Sequence, residues 1–373
     1  MKKIFPNQSL IFNISSLLVI FFPASLIAGP FVSELFMNIA SVLVIYMIFR
    51  EKKYYYFKNK IAYLYLVFCI YLLIRSYFSE NKSLSFETSQ FYFRYGFFVI
   101  AILFLIEKEK KFLNIFFIGL LIIFGILIFD GYYQFFSGEN IFKFKVDRSD
   151  RLGGLFFDEL ILGSFILKLL PLLCIAFFYV KNKKSKNFVL LILLASYFLV
   201  FLSGERAAFI LVNFFVFCSA FGIMRIKRFL FLSFFFISII CILIFSNNSL
   251  KSRYYDQIII HLMAKNPSGK IVFFPEHAIL FKVSQNMFLD NIFFGQGPKT
   301  FRALCFKRKF KKDLHHSAFR KGHNTYLVQH MYEPCTTHTH NYYLQLLSET
   351  GLVGFSFIFW FYIVLLKNYY YAI

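Results

Sequence analysis

The chain has 373 residues, 59% of them hydrophobic, with 58 Phe, a single Trp and a formal charge of +22. Its mean hydropathy is +0.63, and soluble domains hold only about 45–50% apolar residues, so an ordinary soluble globular domain is excluded. No basic groove interleaved with aromatics and no nucleic-acid motif accompanies the charge, so the excess reads as membrane orientation and no nucleic-acid partner is expected.

Apolar runs of roughly twenty residues read as membrane-spanning helices. Met1-Lys2-Lys3 before an apolar run resembles a signal peptide, but the run extends from Leu10 to Ala28 and leads into another, so it is read as an uncleaved first helix. Ten spans are predicted, at 10–28, 31–49, 61–78, 91–106, 112–129, 159–180, 188–202, 206–223, 229–246 and 350–366. The predicted fold is all-α, a polytopic integral membrane protein with one large outer loop.

Lys2 and Lys3, Arg50 to Lys60, Lys108 to Lys111, Lys181 to Lys186 and Arg225 to Arg228 all fall on one side of this arrangement. By the positive-inside rule that side is cytoplasmic. The division is then 1–246, a bundle of nine helices with outer loops at 79–90 and 130–158; 247–339, the large outer loop; and 340–373, a motif helix with the last span. The large loop carries 14 Lys plus Arg against 5 Asp plus Glu, which favours an acidic partner such as a phosphate-bearing lipid or glycolipid. The basic stretch 307–321 reads equally well as solvated chain. Cys69, Cys174, Cys218 and Cys241 lie in apolar spans and read as packing residues. Cys305 and Cys335 both fall in the outer loop and are a disulfide candidate, with a zinc site as the weaker rival because CxxC and HExxH spacings are missing.

Ionisable groups at span ends are costly unless used or paired. Arg206, in the turn Ser203-Gly204-Glu205-Arg206, can fork onto a phosphate; the alternatives are a snorkelling arginine or a salt bridge to Glu205. Arg151, in Asp150-Arg-Leu-Gly153-Gly154, is a second candidate, with Arg148 as a competitor and pairing to Asp147 or Asp150 as the structural alternative. Arg75 and Arg94 flank the 79–90 loop and would each bind phosphate or snorkel. His340 is the candidate base, since a neutral imidazole takes a proton from a hydroxyl at neutral pH. Asn341 would orient it or bind sugar, and His338 is a weaker alternative. His323-Asn-Thr-Tyr-Leu327 echoes His340-Asn-Tyr-Tyr-Leu344, but only the second copy leads into Glu349-Thr-Gly351-Leu-Val-Gly354 and a span. At helical spacing His340, Leu344, Leu347, Gly351 and Gly354 share one stripe, and Glu349 faces away, so any partner of Glu349 comes from elsewhere in the chain. P-loop, GxSxG and HExxH motifs are missing, and neither cofactor nor metal is expected.

In combination these motifs resemble the O-antigen ligase and O-antigen polymerase superfamily. His340-Asn…Leu344…Glu349-x-Gly351-x-x-Gly354 is similar to the family's signature at the end of its large periplasmic loop. Asn291-Ile-Phe-Phe-Gly295-Gln-Gly297 resembles its Asn-Pro-x-x-Gly-x-Gly turn, with Ile292 where Pro is common. The Ser203–Phe209 turn and the Arg151–Ile166 segment resemble two further pieces. Arg-rich positions at the start of the loop are occupied here by Phe274-Pro-Glu-His277. Family members usually continue with further spans, so a truncated C-terminus is expected.

The resemblance implies a multi-helix fold akin to lipid-dependent, GT-C-like glycosyltransferases of the bacterial inner membrane, with the large loop periplasmic. It implies metal-independent, inverting transfer of a preassembled glycan from undecaprenyl pyrophosphate to lipid A-core. On the motif correspondence His340 is the general base, and Arg206 and Arg151 hold the donor pyrophosphate. The alternative is an O-antigen polymerase, which uses another glycan repeat as acceptor. A glycolipid transporter or flippase is more remote: it would favour charges within spans, of which Lys168 is an isolated case, and inverted repeats.

Overall fold

A computed structural model describes residues 4–146, 151–223, 238–262, 275–311, 320–321, 326–327 and 335–372. The predicted ninth span therefore begins outside the described residues, as do Asp147, Arg148, Asp150, Phe274 and His323.

The first ten helices are α1 (Leu10–Ile20), α2 (Phe22–Ile27), α3 (Pro30–Arg50), α4 (Lys60–Tyr77), α5 (Lys82–Ser89), α6 (Phe93–Lys108), α7 (Phe112–Ser137), α8 (Leu162–Tyr179), α9 (Lys183–Leu202) and α10 (Arg206–Ile223). Two long helices follow, α11 (Pro275–Asp290) and α12 (Tyr342–Ala372). Among the described residues seven segments are long and apolar enough to cross a membrane: α3, α4, Lys82–Lys108, α7, α8, α9 and Tyr342–Asn368. The chain is a multi-pass membrane protein. Short polar residues start several helices: the side chains of Asn59, Asn81 and Asn182 accept from backbone N–H groups of the first turn, which would otherwise have no partner in the helix.

The predicted first span is two helices rather than one. Pro23, at the second position of α2, has no N–H to continue α1, and the break falls at Phe21.

Contacts divide the chain into two units, Met1–Ile39 with Leu105–Ile258, and Ala40–Phe104 with Ile259–Ile373. In the first, α7, α8 and α9 pack together over a core that includes Leu120, Phe124, Leu162, Ile166, Leu199 and Phe201. Helix α7 runs eight residues past the predicted end of its span. Asp130 and Gln134 look like a boundary in the sequence, yet both are buried. Asp130 Oδ1 accepts from Ile141 N–H at 3.0 Å. Gln134 donates to the Phe144 carbonyl at 3.2 Å and accepts from Gly154 N–H at 2.8 Å. Asp130 Oδ1 and the Gln134 amide serve the returning loop, as most buried polar groups are hydrogen-bonded, while Asp130 Oδ2 is buried without a hydrogen bond among the described residues.

In the second unit, the predicted 79–90 loop carries helix α5, whose Ser85 and Ser89 are buried. Helix α12 packs on both α4 and α11. Leu280, Val283 and Met287 of α11 close a small core with Phe301, Leu304, Phe310 and the bridged pair Cys305–Cys335, whose Cα atoms are 5.4 Å apart. Arg320–Lys321 and Tyr326–Leu327 pair as a minimal antiparallel ladder.

Candidate active site

The predicted histidine motif lies in the second unit. Helix α12 begins only at Tyr342, so His340 precedes the helix, and the predicted stripe from His340 down one helical face does not form. His340 sits instead at φ 54°, the left-handed region that a Cβ-bearing residue rarely adopts. Asn341 explains the local fold. Its Oδ1 accepts from Leu344 N–H at 3.1 Å and its carbonyl accepts from Gln345 N–H at 3.0 Å, so it is the N-cap of α12. Buried Thr339 braces the cap by donating to the Asn341 carbonyl at 2.7 Å.

Two further imidazoles surround His340. The His338 ring lies 4.2 Å away between centroids, and the His277 ring, from α11, 5.0 Å away. His338 is held by Thr337, whose hydroxyl is 2.9 Å from Nδ1. Partial desolvation of the ring, then the like charge of His338 and of His277, hold the His340 pKa below its ordinary value. The arrangement keeps a neutral imidazole at neutral pH. His277 carried no signal in the sequence as a neighbour of His340, because the pair is 63 positions apart and on different elements.

Glu349 is buried and acts on the 291–301 segment. Its Oε2 accepts from Lys299 N–H at 2.9 Å and its Oε1 from Phe301 N–H at 3.1 Å. Backbone bonds reinforce this strap: Gln296 N–H to Ser348 O, Gly297 N–H to Glu349 O, Leu352 N–H to Ile292 O and Val353 N–H to Phe293 O. The strap needs a break in α12, supplied by Gly351 at φ 64°, ψ −168°. That region is open to glycine alone, and a Cβ there would fall on the Phe293 carbonyl. The Gly-x-Gly turn and the Glu-x-Gly motif are thus two sides of one joint.

Arg75 completes the joint. It is buried, and donates from Nε to the Phe294 carbonyl at 2.8 Å and from Nη2 to the Gly295 carbonyl at 2.6 Å. These bonds tie it to the 294–295 backbone, whereas the sequence reading offered a phosphate contact or snorkelling. Arg94 lies over the Tyr95 ring at 5.0 Å and donates to its hydroxyl at 3.0 Å.

The other two predicted arginines, Arg151 and Arg206, lie in the first unit. After α9, Gly204 at φ 73° turns the chain, and the Glu205 carbonyl accepts from Phe209 N–H at 2.9 Å to open α10 at Arg206. The Glu205 side chain reaches the start of α8, where it accepts from Gly163 N–H at 2.6 Å and from Ser164 N–H at 3.2 Å. A carboxylate is favoured at a helix N-terminus, where backbone N–H groups converge. Arg151 Nη2 approaches the same carboxylate at 3.9 Å and donates to the Leu160 carbonyl. Glu205 is its carboxylate partner among the described residues, and Asp147 and Asp150, the alternatives read from the sequence, lie outside them. Arg151 Nε is buried without a hydrogen bond among the described residues. Arg253 donates from Nε to the Gly204 carbonyl at 2.8 Å. Burial raises the pKa of the neighbouring Tyr254 phenol; the charge of Arg253 lowers it, Glu205 raises it, and Arg206 and Arg151 lower it. Sequence reasoning missed Arg253.

Residues 188–359 match the model of the O-antigen ligase family. That match supports membership of the O-antigen ligase and polymerase superfamily. No curated protein and no solved structure matches the chain. The matched segment takes in Arg206, Arg253, His277, the Gly-x-Gly turn and His340, while Arg75, Arg94 and Arg151 lie upstream of it. The family supports a membrane glycosyltransferase of the O-antigen ligase or polymerase type acting on lipid-linked glycans.

Proposed function

We propose that the protein transfers a preassembled glycan from undecaprenyl pyrophosphate to lipid A-core at the periplasmic face of a bacterial inner membrane. The observation that carries this reading is His340: a neutral-leaning imidazole among two others, set beside a buried joint within the segment that matches the O-antigen ligase family. In the proposed step His340 takes the proton of an acceptor hydroxyl. The oxygen attacks the anomeric carbon from the face opposite the leaving group, and the bond from that carbon to the carrier's diphosphate oxygen breaks. Attack from that face inverts the anomeric centre. Arg206 and Arg151 hold the departing diphosphate and stabilise its growing charge. The bridged Cys305 and Cys335 support an oxidising compartment for the 247–339 segment.

The test is transfer in proteoliposomes with a defined polyprenyl-diphosphate glycan, offering lipid A-core and a second lipid-linked repeat as separate acceptors. Glycan on lipid A-core that disappears in His340→Ala supports the ligase reading. Growth of chains on the carrier alone assigns the protein as a polymerase. Full transfer by His340→Ala at wild-type expression removes the histidine from the mechanism.

A further inference from the structure

An apolar cavity in the first unit has no part in the proposed reaction. It encloses about 320 Å³ between α2, the middle of α7 and the loop that follows α7. Ala24 and Ile27 line it from α2, Ile123 and Ile126 from α7, and Phe142 and Phe157 from the loop. All of its lining side chains are apolar. Ile126, Phe142 and Phe157 are exposed, so the cavity opens outward and not into the core. Because α7 is long and apolar enough to cross a membrane, hydrocarbon is what reaches that opening. At about 30 Å³ for each water-sized group, there is room for roughly ten methylenes of one chain.

The loop wall of the cavity is fixed from beneath and strained at its rim. Buried Asn140 donates to the Gly154 carbonyl at 2.8 Å and accepts from the N–H groups of Phe142 and Phe144 at 2.9 Å each. These bonds set Phe142-Lys143-Phe144-Lys145 as a short stretch in which aromatic rings alternate with cations. The Phe157 ring lies 4.6 Å from that of Phe144 and 5.9 Å from that of Phe142. Phe157 stands at φ 55°, ψ −114°, and Glu159 N–H closes the turn onto the Phe156 carbonyl at 3.0 Å. That is the first central position of a type II′ turn, which glycine normally fills. Burial does not account for a phenylalanine there, since its ring is exposed, and such backbone outliers cluster at ligand clamps. Lys143 and Lys145 are exposed, and neither forms an ion pair among the described residues, although Glu139 is bridged to Lys145 through the backbone.

We infer that this cavity holds an acyl-chain segment of an anionic phospholipid, whose headgroup phosphate lies against Lys143 and Lys145. An apolar slot beside a basic, aromatic rim fits an amphiphile with hydrocarbon for the slot and negative charge for the rim. The site is separate from glycan transfer and stands or falls independently of the ligase reading. The full chain is reconstituted in nanodiscs with a trace of phosphatidylglycerol or phosphatidylcholine carrying a diazirine in the acyl chain, and the crosslinked residues are mapped by mass spectrometry. Phosphatidylglycerol is expected to label Ile123–Ile126 and Phe142–Phe157 above the level at exposed Val42 of α3, and phosphatidylcholine to label them less. Lys143→Gln and Lys145→Gln are each expected to reduce that preference about fivefold, and Ala24→Leu, which fills the slot, to lower labelling by both lipids. Equal labelling by the two lipids overturns the anionic headgroup. Labelling no higher than at Val42 overturns the site. Displacement of the label by a polyprenyl phosphate but not by unlabelled phosphatidylglycerol overturns the phospholipid and gives the cavity to an isoprenoid chain. The deciding comparison is made on the wild-type chain, so the outcome does not depend on whether a variant folds.

Discussion

The proposed base role of His340 depends on a ring that gives up its proton easily. If it is the base, transfer rises with pH as the imidazole loses its proton and levels off above its pKa, and that rising limb is centred below about 6.5 because the pKa is lowered. His277→Gln removes one like charge, so the limb is expected to move to higher pH with the plateau reached later; a pH–rate series on both proteins checks this. His340→Ala should cost on the order of 10²–10⁴ in rate. Asn341 has two rival roles, and one substitution separates them. Asn341→Ser keeps a good N-cap, whereas Asn341→Ala loses about 1 kcal/mol of helix stability. If capping is the role, Ser restores both melting temperature and transfer; if Asn341 binds sugar, Ser restores melting temperature while KM for the acceptor stays raised.

The element that matters most is the joint between the 291–301 segment and α12. Gly351→Ala places a Cβ against the Phe293 carbonyl and demands a conformation that alanine resists. The strain alone is on the order of 1–3 kcal/mol, and the bonds from Leu352 and Val353 to Ile292 and Phe293 would open as the backbone moves. The expected result is a lower thermal midpoint in detergent and reduced transfer together, measured by intrinsic fluorescence melting and the proteoliposome assay. Substitutions at Phe293 and Phe294, which bond through backbone and leave their rings exposed, should change the midpoint little. The sequence motif therefore marks a shape more than a set of reacting groups.

At the scale of the whole molecule, the proposed topology makes a direct prediction. Reporter fusions within 247–339 should be active only as a periplasmic reporter, and non-reducing mass mapping should recover Cys305 and Cys335 as one linked peptide. Most long helices were legible because their apolar runs match the span length, as in α3, α8 and α9. The end of α7 was not, because Asp130 and Gln134 resemble solvent-facing residues until the returning loop supplies their partners. His340 and Arg206 stand in distinctive local motifs that the sequence shows directly, and their part in a site belongs to the proposal. Arg253, His277 and the backbone contacts of Arg75 were not legible, since those depend on partners that no local pattern announces. Arg75 also dates the assembly. Its carbonyl partner at Phe294 lies 219 residues later, and at about 5–20 residues per second the ribosome needs roughly 10–45 s to deliver it. Through that interval the young α4 carries a cation without those two carbonyls, and because such a charge is costly within a bilayer, the expectation is that the helix stays near the lipid headgroups until the second half of the chain arrives.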